Sequence, residues 1–260
     1  MKKAFIIIAT LCAFIYGLYA TGMIGFDGNG MLSFPGTALP IVIEDAVYFE
    51  GVSGYFVRPA NDKKYPGIIL IHENRGLRPE IKQAAEDLAK EGYMVLAVDL
   101  FGKIVETQAE ARELTARFDQ ELGMHNLRAA AMYLRLHGAS RVASLGWCFG
   151  GGQSLRLALS GEQLSATVIY YGQLATTTLT LAPLHNPVLG IFGATDTVIP
   201  VQTVRQFEKA LNTMGIRNEI YVYDGVGHAF ANPSNPNFAP GPTADAWKKT
   251  LVFLQKYLQD

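Results

Sequence analysis

Short apolar segments alternate with longer amphipathic segments along most of this chain. Apolar runs of roughly four to eight residues indicate buried strands, and longer runs with a period of about 3.6 residues indicate helices. The alternation therefore predicts right-handed crossovers and a mostly parallel sheet with helices on both faces, an α/β fold. The first two strands, within residues 46–59, turn at Gly51 and form an antiparallel start. The other predicted strands are residues 67–72, 93–99, 141–145, 165–171, 187–192 and 218–223, and the predicted helices are residues 81–91, 105–119, 125–136, 151–159, 201–214 and 243–259.

Length and charge limit the classes of protein that remain. The chain has 260 residues, and its formal net charge is −1. This length suits one α/β domain with a sizeable core, and no linker or repeat interrupts it, so residues 23–260 are predicted to be a single domain. The chain has no cluster of lysines and arginines, which argues against a nucleic-acid partner.

The N-terminus has the pattern of a secretory signal peptide. Two lysines precede an unbroken apolar run at residues 4–19, which is typical of such leaders. Small residues at Ala20 and Gly22 fit cleavage before Met23, and a cut after Ala20 is a second option. Residues 1–22 are thus predicted to be a signal peptide, with an uncleaved membrane anchor as the alternative. Both predict a folded domain outside the cytoplasm, periplasmic or secreted, with no other membrane partner.

The chain contains two cysteines, Cys12 and Cys148. Cys12 lies in the predicted leader, so the mature protein would retain only Cys148. A lone thiol in an oxidising compartment is either a buried inert residue or a reactive group retained for its chemistry.

The residues around Cys148 favour the reactive role. Gly146-Trp147-Cys148-Phe149-Gly150 follows a predicted strand and precedes a predicted helix. This is the pattern of a nucleophile elbow with Cys in place of Ser, and it predicts an α/β-hydrolase fold. The helix N-terminus would favour the thiolate, and the N–H of Phe149 would face a developing oxyanion. The alternatives are an inert cysteine in a glycine-rich turn, or a dinucleotide-binding turn, which would need Gly at position 148.

Two further candidates follow later strands. Asp196 comes after the strand at residues 187–192, and His228 comes after the strand at residues 218–223. An aspartate at the first position can orient an imidazole and fix its tautomer, although such a residue often only forms a turn. The order nucleophile, acid, histidine is that of α/β-hydrolase triads, so the sequence predicts a triad of Cys148, Asp196 and His228.

Glu73 directly follows the strand at residues 67–72. The loop at this position supplies the second oxyanion N–H in this fold, here predicted to come from Asn74. The carboxylate of Glu73 would either hold the proton of the thiol or pair with Arg75 and order the loop. A zinc site of the HExxH type is excluded because position 76 is Gly.

From about residue 46 to residue 258, the chain resembles the dienelactone hydrolase family of α/β-hydrolases. The elbow occurs in many hydrolases, but a cysteine in it, combined with Glu73, is much more selective. The motifs that carry the resemblance are GxCxG at 146–150, the glutamate at 73, VDLFG at 98–102, GATDxxxP at 193–200 and GHxF at 227–230.

The resemblance implies a role for each site residue. Cys148 would be the nucleophile, His228 the base and acid, Asp196 the residue that orients it, and Glu73 the group that draws the thiol proton when substrate arrives. In this family, lactonase members carry two arginines that are taken to hold the carboxylate of the substrate.

This chain departs from the family at both arginine positions. It has Lys103 after the strand-end loop and Asn232 beyond the histidine. A lysine is a monodentate anchor and an asparagine has no charge, so the resemblance implies the reaction class but not a dienelactone substrate. Lys103, Asn232 and Tyr171, which ends the strand at residues 165–171, are the candidate substrate-binding residues.

The predicted function is hydrolysis of a small-molecule carboxylic ester or lactone through a thioacyl-enzyme, with no cofactor and no metal. Acyl transfer or peptide-bond cleavage by the same triad is one alternative. A binding or scaffold protein on a degenerate hydrolase fold is another, which the presence of all three triad residue types disfavours. The sequence does not indicate an oligomeric state.

Overall fold

A computed structural model describes residues 38–259 and two short N-terminal strands, β1 (Gly25–Phe26) and β2 (Leu32–Ser33). These two strands pair antiparallel with each other. The predicted leader, residues 1–22, lies outside the described residues, so its cleavage stays a prediction. In the part of the chain that the structure describes, no helix combines the length and apolar character needed to cross a bilayer.

Residues Pro40–Asp260 form the larger of two units of the chain. The larger unit contains an eight-stranded sheet whose strands are β3 (Ile41–Phe49), β4 (Val52–Pro59), β5 (Gly67–Ile71), β6 (Met94–Val98), β7 (Val142–Trp147), β8 (Ala166–Tyr170), β9 (Val188–Gly193) and β10 (Asn218–Tyr223). Their order along the sheet is β10-β9-β8-β7-β5-β6-β4-β3. β3 pairs antiparallel with β4, and β4 pairs antiparallel with β6, whereas the strands from β5 to β10 are parallel to one another. The predicted α/β architecture is confirmed.

Helices cover both faces of this sheet. Alternate residues of β5 point to opposite faces, as they must in a strand. Ile68 and Leu70 pack in one buried cluster, and Ile69 and Ile71 pack in another on the opposite face. The helices of the described chain are α1 (Pro79–Lys90), α2 (Gln108–Ala116), α3 (Gln120–Leu136), α4 (Phe149–Leu159), α5 (Thr178–Leu181), α6 (Val201–Thr213) and α7 (Pro240–Leu258).

Several helix boundaries differ from the predicted ones because of local capping. α2 is shorter than predicted, since Thr107 and Glu110 form a capping box that fixes its start. α3 begins five residues before the predicted start, because the Asp119 carboxylate accepts the N–H groups of Glu121 and Leu122. α4 begins directly after Cys148. The short helix α5 was not predicted.

The parallel strands bring their carboxyl ends to one edge of the sheet. β7, which leads into Cys148, lies between β5, which leads toward Glu73, and β8, which leads into Tyr171. Asp196 and His228 follow β9 and β10, farther along the same edge. Candidate residues from distant parts of the sequence therefore converge where parallel sheets typically bind ligands.

Candidate active site

Cys148 occupies a strained turn between β7 and α4. Its φ and ψ are 51° and −113°, and its N–H donates to the carbonyl oxygen of Tyr170 at 2.9 Å. A positive φ is costly for a residue with a side chain, so the surrounding structure must hold it there. The turn also needs glycine on each side. A Cβ on Gly146 would lie 2.3 Å from the carbonyl carbon of Gly150, and a Cβ on Gly150 would lie 2.3 Å from the oxygen of Ile71.

Cys148, His228 and Asp196 form a continuous hydrogen-bonded chain. Nε2 of His228 lies 3.1 Å from Sγ of Cys148, and Nδ1 of His228 lies 2.8 Å from Oδ2 of Asp196. The other oxygen of Asp196 accepts the N–H groups of Val198 and Ile199 at 2.7 and 2.9 Å. Asp196 is buried and fixed from both sides, so it can hold one tautomer of the imidazole.

The pKa values of Asp196 and His228 are shifted in directions that favour an ionised aspartate beside a protonated histidine. Burial raises the pKa of Asp196, but the hydrogen bonds from His228 and the backbone outweigh it, and the net effect is a lowered pKa. Burial lowers the pKa of His228, whereas its hydrogen bonds to Asp196 and Cys148 raise it to about 10. Both partners thus stabilise the protonated form of this imidazole, the form that arises when it accepts a proton from the sulfur.

Cys148 and His228 line an open cavity of about 460 Å³. Phe149 and Asn74, the two candidate oxyanion donors, line the same cavity. Phe149 is the first residue of α4, so its N–H has no acceptor within the helix. In the described chain, the N–H of Asn74 also makes no hydrogen bond. Both groups are thus free to bind an anionic oxygen.

Glu73 lies beside this cavity but lines a different one. The second cavity has about 320 Å³, is mostly apolar, and also contains Asn232, Trp147 and Trp247. The Glu73 carboxylate accepts hydrogen bonds from the side chains of Asn232 and Tyr171, the latter at 3.3 Å. Within the described residues it makes no ion pair with Arg75, so the alternative in which Arg75 binds this carboxylate has no support here.

Burial also shifts the pKa of Glu73. Desolvation raises the pKa of this carboxyl, while the hydrogen bonds from Asn232 and Tyr171 lower it, and the net effect is a raised pKa. Tyr171 lines both cavities and is fully buried. Burial raises the pKa of Tyr171 well above its ordinary value, and the charge of Glu73 raises it further, so its hydroxyl stays a neutral donor.

His72 would be the first histidine of the HExxH pattern that the sequence excludes, and it has a different role. Its ring is fully buried. Nε2 accepts the N–H of Leu100 at 3.1 Å, so the proton is on Nδ1, which donates to the carbonyl oxygen of Glu73 at 2.6 Å. His72 thus connects the loop after β5 to the loop after β6. Its position at the end of a buried strand is the sequence feature that could have indicated this structural role.

Of the three candidate substrate-binding residues, only Tyr171 lines the cavity of Cys148. Asn232 binds Glu73 instead. Lys103 is exposed and lines a separate recess beside Tyr55 and Asp99. Sequence reasoning missed Arg156, which does line the cavity of Cys148, and its spacing of eight residues from Cys148 on one helix could have revealed it. Among the described residues, no group of His, Cys, Asp and Glu side chains has a metal-binding arrangement.

Residues 52–258 match the sequence model of the dienelactone hydrolase family. The chain belongs to this family. Similar proteins include one from Methylorubrum extorquens whose name describes a carboxymethylenebutenolidase, 28% identical over 90% of this chain and 84% of its own length. Another, from a Bradyrhizobium species, is named as a 2-oxo-3-(5-oxofuran-2-ylidene)propanoate lactonase and is 28% identical over 78% of this chain and 89% of its own length.

Solved structures of the family have the same fold. A Klebsiella pneumoniae structure described as a dienelactone hydrolase superposes with a TM-score of 0.77 and 27% identity, and the match covers 84% of this chain and all of that one. A dienelactone hydrolase-like phosphotriesterase from metagenomic libraries has a TM-score of 0.75 at 21% identity, covering 84% of this chain and 98% of its own, which supports the fold alone. This family member is thus a hydrolase with the α/β-hydrolase fold.

Proposed function

We propose that this hydrolase cleaves carboxylic esters or lactones through a thioacyl-enzyme formed on Cys148. The observation that carries the proposal is the pair of hydrogen bonds that joins Cys148 to His228 and His228 to Asp196. The names of the similar proteins from Methylorubrum and Bradyrhizobium, a butenolidase and a lactonase, agree with this reaction class.

The first half of the reaction acylates the enzyme. The thiol proton of Cys148 passes to Nε2 of His228, and the sulfur forms a bond to the carbonyl carbon of the substrate. The carbonyl oxygen becomes an oxyanion that accepts the N–H groups of Phe149 and Asn74. The carbon–oxygen bond then breaks, and the leaving oxygen takes the proton from His228. The products of this half are an alcohol, or the open hydroxyl end of a lactone, and a thioester on Cys148.

The second half hydrolyses the thioester. Nε2 of His228 removes a proton from water, and the resulting oxygen attacks the thioester carbon through a second oxyanion at the same two N–H groups. The carbon–sulfur bond breaks, the acid leaves, and the sulfur recovers its proton from His228. Asp196 stays ionised throughout and stabilises the imidazolium in both halves.

The role of the glutamate is also part of the proposal. Glu73 is half-buried next to Tyr171, which lines the cavity of Cys148. Negative charge on either Glu73 or Cys148 raises the pKa of Tyr171. The carboxylate and the sulfur are thus both close enough to affect the same hydroxyl group. We infer that its protonation state controls when the thiol ionises.

A panel of 4-nitrophenyl esters and small lactones tests the proposal. We expect hydrolysis by the parent chain and loss of turnover in Cys148→Ala, with the far-ultraviolet circular dichroism spectrum unchanged. Iodoacetamide should label Cys148, as shown by peptide mapping, and abolish activity in proportion to labelling. Cys148→Ser is the matched variant, and it should keep a small part of the activity because His228 can also activate a hydroxyl. Full activity after complete labelling of Cys148 would exclude the mechanism.

A further inference from the structure

The cavity of Cys148 extends along one face of α4. Four residues of this helix line the cavity: Phe149, Gly152, Gln153 and Arg156. They are three, one and three positions apart, so they lie on one side of the helix. The cavity thus begins at the nucleophile and continues for about two turns of this helix. Arg156 lies at its far end and is exposed to solvent.

In the part of the chain that the structure describes, no group neutralises the charge of Arg156. No residue of the described chain forms an ion pair or a hydrogen bond with its guanidinium group. None of the described residues that line this cavity is an aspartate or a glutamate. A guanidinium group is always protonated in a protein, so the far end of the cavity carries a permanent positive charge.

Two polar side chains of the cavity wall already bind each other. Gln153 is buried, and its amide exchanges two hydrogen bonds with the amide of Gln120, at 2.8 and 3.0 Å. This reciprocal pair fixes the wall between Cys148 and Arg156. The Arg156 guanidinium, with five N–H donors in a planar fork, is left available for a ligand.

The helix geometry gives the scale of the separation. Cys148 and Arg156 are eight residues apart, so their α carbons lie about 12 Å apart along the axis of α4. Side chains of a helix lean toward its N-terminus, which brings the guanidinium closer to the sulfur than this value. An anion held by Arg156 would therefore be separated from the scissile carbonyl by several bonds.

We propose that Arg156 is a specificity-determining residue that binds a carboxylate at the end of the substrate remote from the scissile bond. This inference rests on the proposed hydrolysis at Cys148. The proposed carboxylate site is not at Lys103 or Asn232, the two positions where lactonase members carry arginines. It lies along α4 instead. The competing role of Arg156 is purely structural, since a cation in the last turn of α4 also stabilises the helix dipole.

Four ester probes separate these two roles. Mono(4-nitrophenyl) adipate carries a carboxylate on the acyl side, and 4-nitrophenyl hexanoate is its neutral counterpart. The butyrate ester of 4-hydroxybenzoate carries a carboxylate on the leaving group, and the butyrate of methyl 4-hydroxybenzoate is its neutral counterpart. In Arg156→Met, kcat/KM should fall by about threefold to tenfold for at least one anionic probe. The lower value corresponds to the loss of an exposed ion pair, and the higher value to the loss of a bidentate one. The matched neutral probe should change by less than about twofold.

Two control variants and a salt series complete the experiment. Arg156→Lys should recover part of the preference for the anionic probe, since it keeps the charge but loses the fork. Lys209→Met, which removes an exposed cation on α6, should leave both probe ratios unchanged. The effect of Arg156→Met should also shrink when sodium chloride is raised from low to molar concentration, because salt screens an exposed charge pair.

The outcomes distinguish this inference from the proposed function. Equal changes for anionic and neutral probes in Arg156→Met, with or without a loss of thermal stability, would overturn the role of Arg156. If the parent hydrolysed the neutral probes in a Cys148-dependent manner at the same time, the proposed function would stand. If no probe were hydrolysed in a Cys148-dependent manner, the proposed function itself would fail.

Discussion

The side-chain amide of Asn232 donates a hydrogen bond to the carboxylate of Glu73, although 159 residues separate them in the sequence. Tyr171 donates to the other oxygen of the same carboxylate. Three loops at the edge of the sheet thus fix the position of one half-buried acid. Because its position is fixed next to the cavity of the nucleophile, changes to this acid and its donors should have measurable effects on turnover.

Glu73→Gln should lower kcat strongly. The substitution keeps the size of the side chain and one of its two acceptor oxygens, but it removes the group that exchanges a proton. Groups that act in general acid–base catalysis contribute about 10²–10⁴-fold, and a loss in this range is expected for 4-nitrophenyl butyrate. The reaction of Cys148 with peroxide should also change in rate, because a neighbouring carboxylate affects how readily a thiol ionises.

Glu80→Gln is the matched control for this variant. Glu80 lines the same apolar cavity as Glu73, but its carboxylate pairs with Arg78 at 3.2 Å. Glu80 does not line the cavity of Cys148, so kcat in the pH-independent range should stay close to the parental value. Parental turnover and unchanged peroxide sensitivity in Glu73→Gln would restrict Glu73 to ordering its loop.

Asn232→Leu should move the acidic limb of the kcat profile to higher pH. The amide of Asn232 stabilises the charged carboxylate and lowers the pKa of Glu73, in opposition to burial. Its removal therefore raises the pKa of Glu73 further, and the carboxylate becomes ionised only at higher pH. The measurement is kcat between about pH 4 and pH 9. The same substitution in a Glu73→Gln background should produce no shift, and a shift there would contradict the assignment of the limb to Glu73.

Asp196→Asn should reduce kcat by about 10²–10⁴-fold without unfolding the protein. The variant loses the charge that fixes the tautomer of His228 and stabilises its protonated form. Single-turnover kinetics with 4-nitrophenyl acetate would measure the acylation step directly. A variant with parental acylation would show that His228 is oriented by other groups.

The same variant gives a test by stability. The folded-state pKa of His228 is raised to about 10 from an ordinary value of 6.5. The stabilisation from its pairing is therefore fully present below about pH 6.5 and is lost as the pH rises through about 10. The difference in Tm between the parent and Asp196→Asn should shrink between about pH 7 and about pH 10.5. A difference that does not depend on pH would contradict the raised pKa.

His72→Leu should destabilise the protein by roughly 2–5 kcal/mol at pH 8, because the carbonyl of Glu73 and the N–H of Leu100 both lose a buried partner. Burial lowers the pKa of His72, so this residue is neutral in the folded protein and protonated after unfolding below about pH 6.5. The parent therefore loses stability from this residue as the pH falls below about 6.5, and the variant does not.

Urea unfolding at pH 8 and pH 5 would measure this effect. The destabilisation caused by His72→Leu should be smaller at pH 5 than at pH 8. His185→Leu, which changes an exposed histidine, should show little effect at either pH. An equal destabilisation at both pH values would mean that His72 is not held neutral by burial.

The mature N-terminus should lie near Thr21 or Met23 when the protein is isolated from its own host. This expectation follows from the apolar run at residues 4–19 and the small residues that follow it. Intact-mass spectrometry of the soluble fraction would identify the first residue. Soluble protein that retains Met1 would contradict export with cleavage, and membrane-bound protein with Met1 would support the anchor.

Local patterns in the sequence were sufficient to predict the sheet and the elbow. The apolar runs, the glycines at 146 and 150, and the positions of Glu73, Cys148, Asp196 and His228 after strands all depend on residues that are close in the chain. Parallel strands share a direction, so residues that follow them must gather at one edge whatever the order of the strands. This is why convergence could be predicted without coordinates.

Pairings between loops could not be predicted in this way. Whether Glu73 meets Arg75 or Asn232 depends on the paths of loops that are far apart in sequence, and the structure has Asn232 and Tyr171 as its partners. The order of the strands and the paths of the loops decide which side chains reach the cavity of Cys148, and Lys103 lies outside it while Arg156 lines it. The sequence by itself determined the fold class and the edge of the sheet that carries the site, because these follow from local patterns in the chain. Only the tertiary structure decided which charges face the nucleophile, because side-chain contacts depend on distances between segments that the local pattern does not encode.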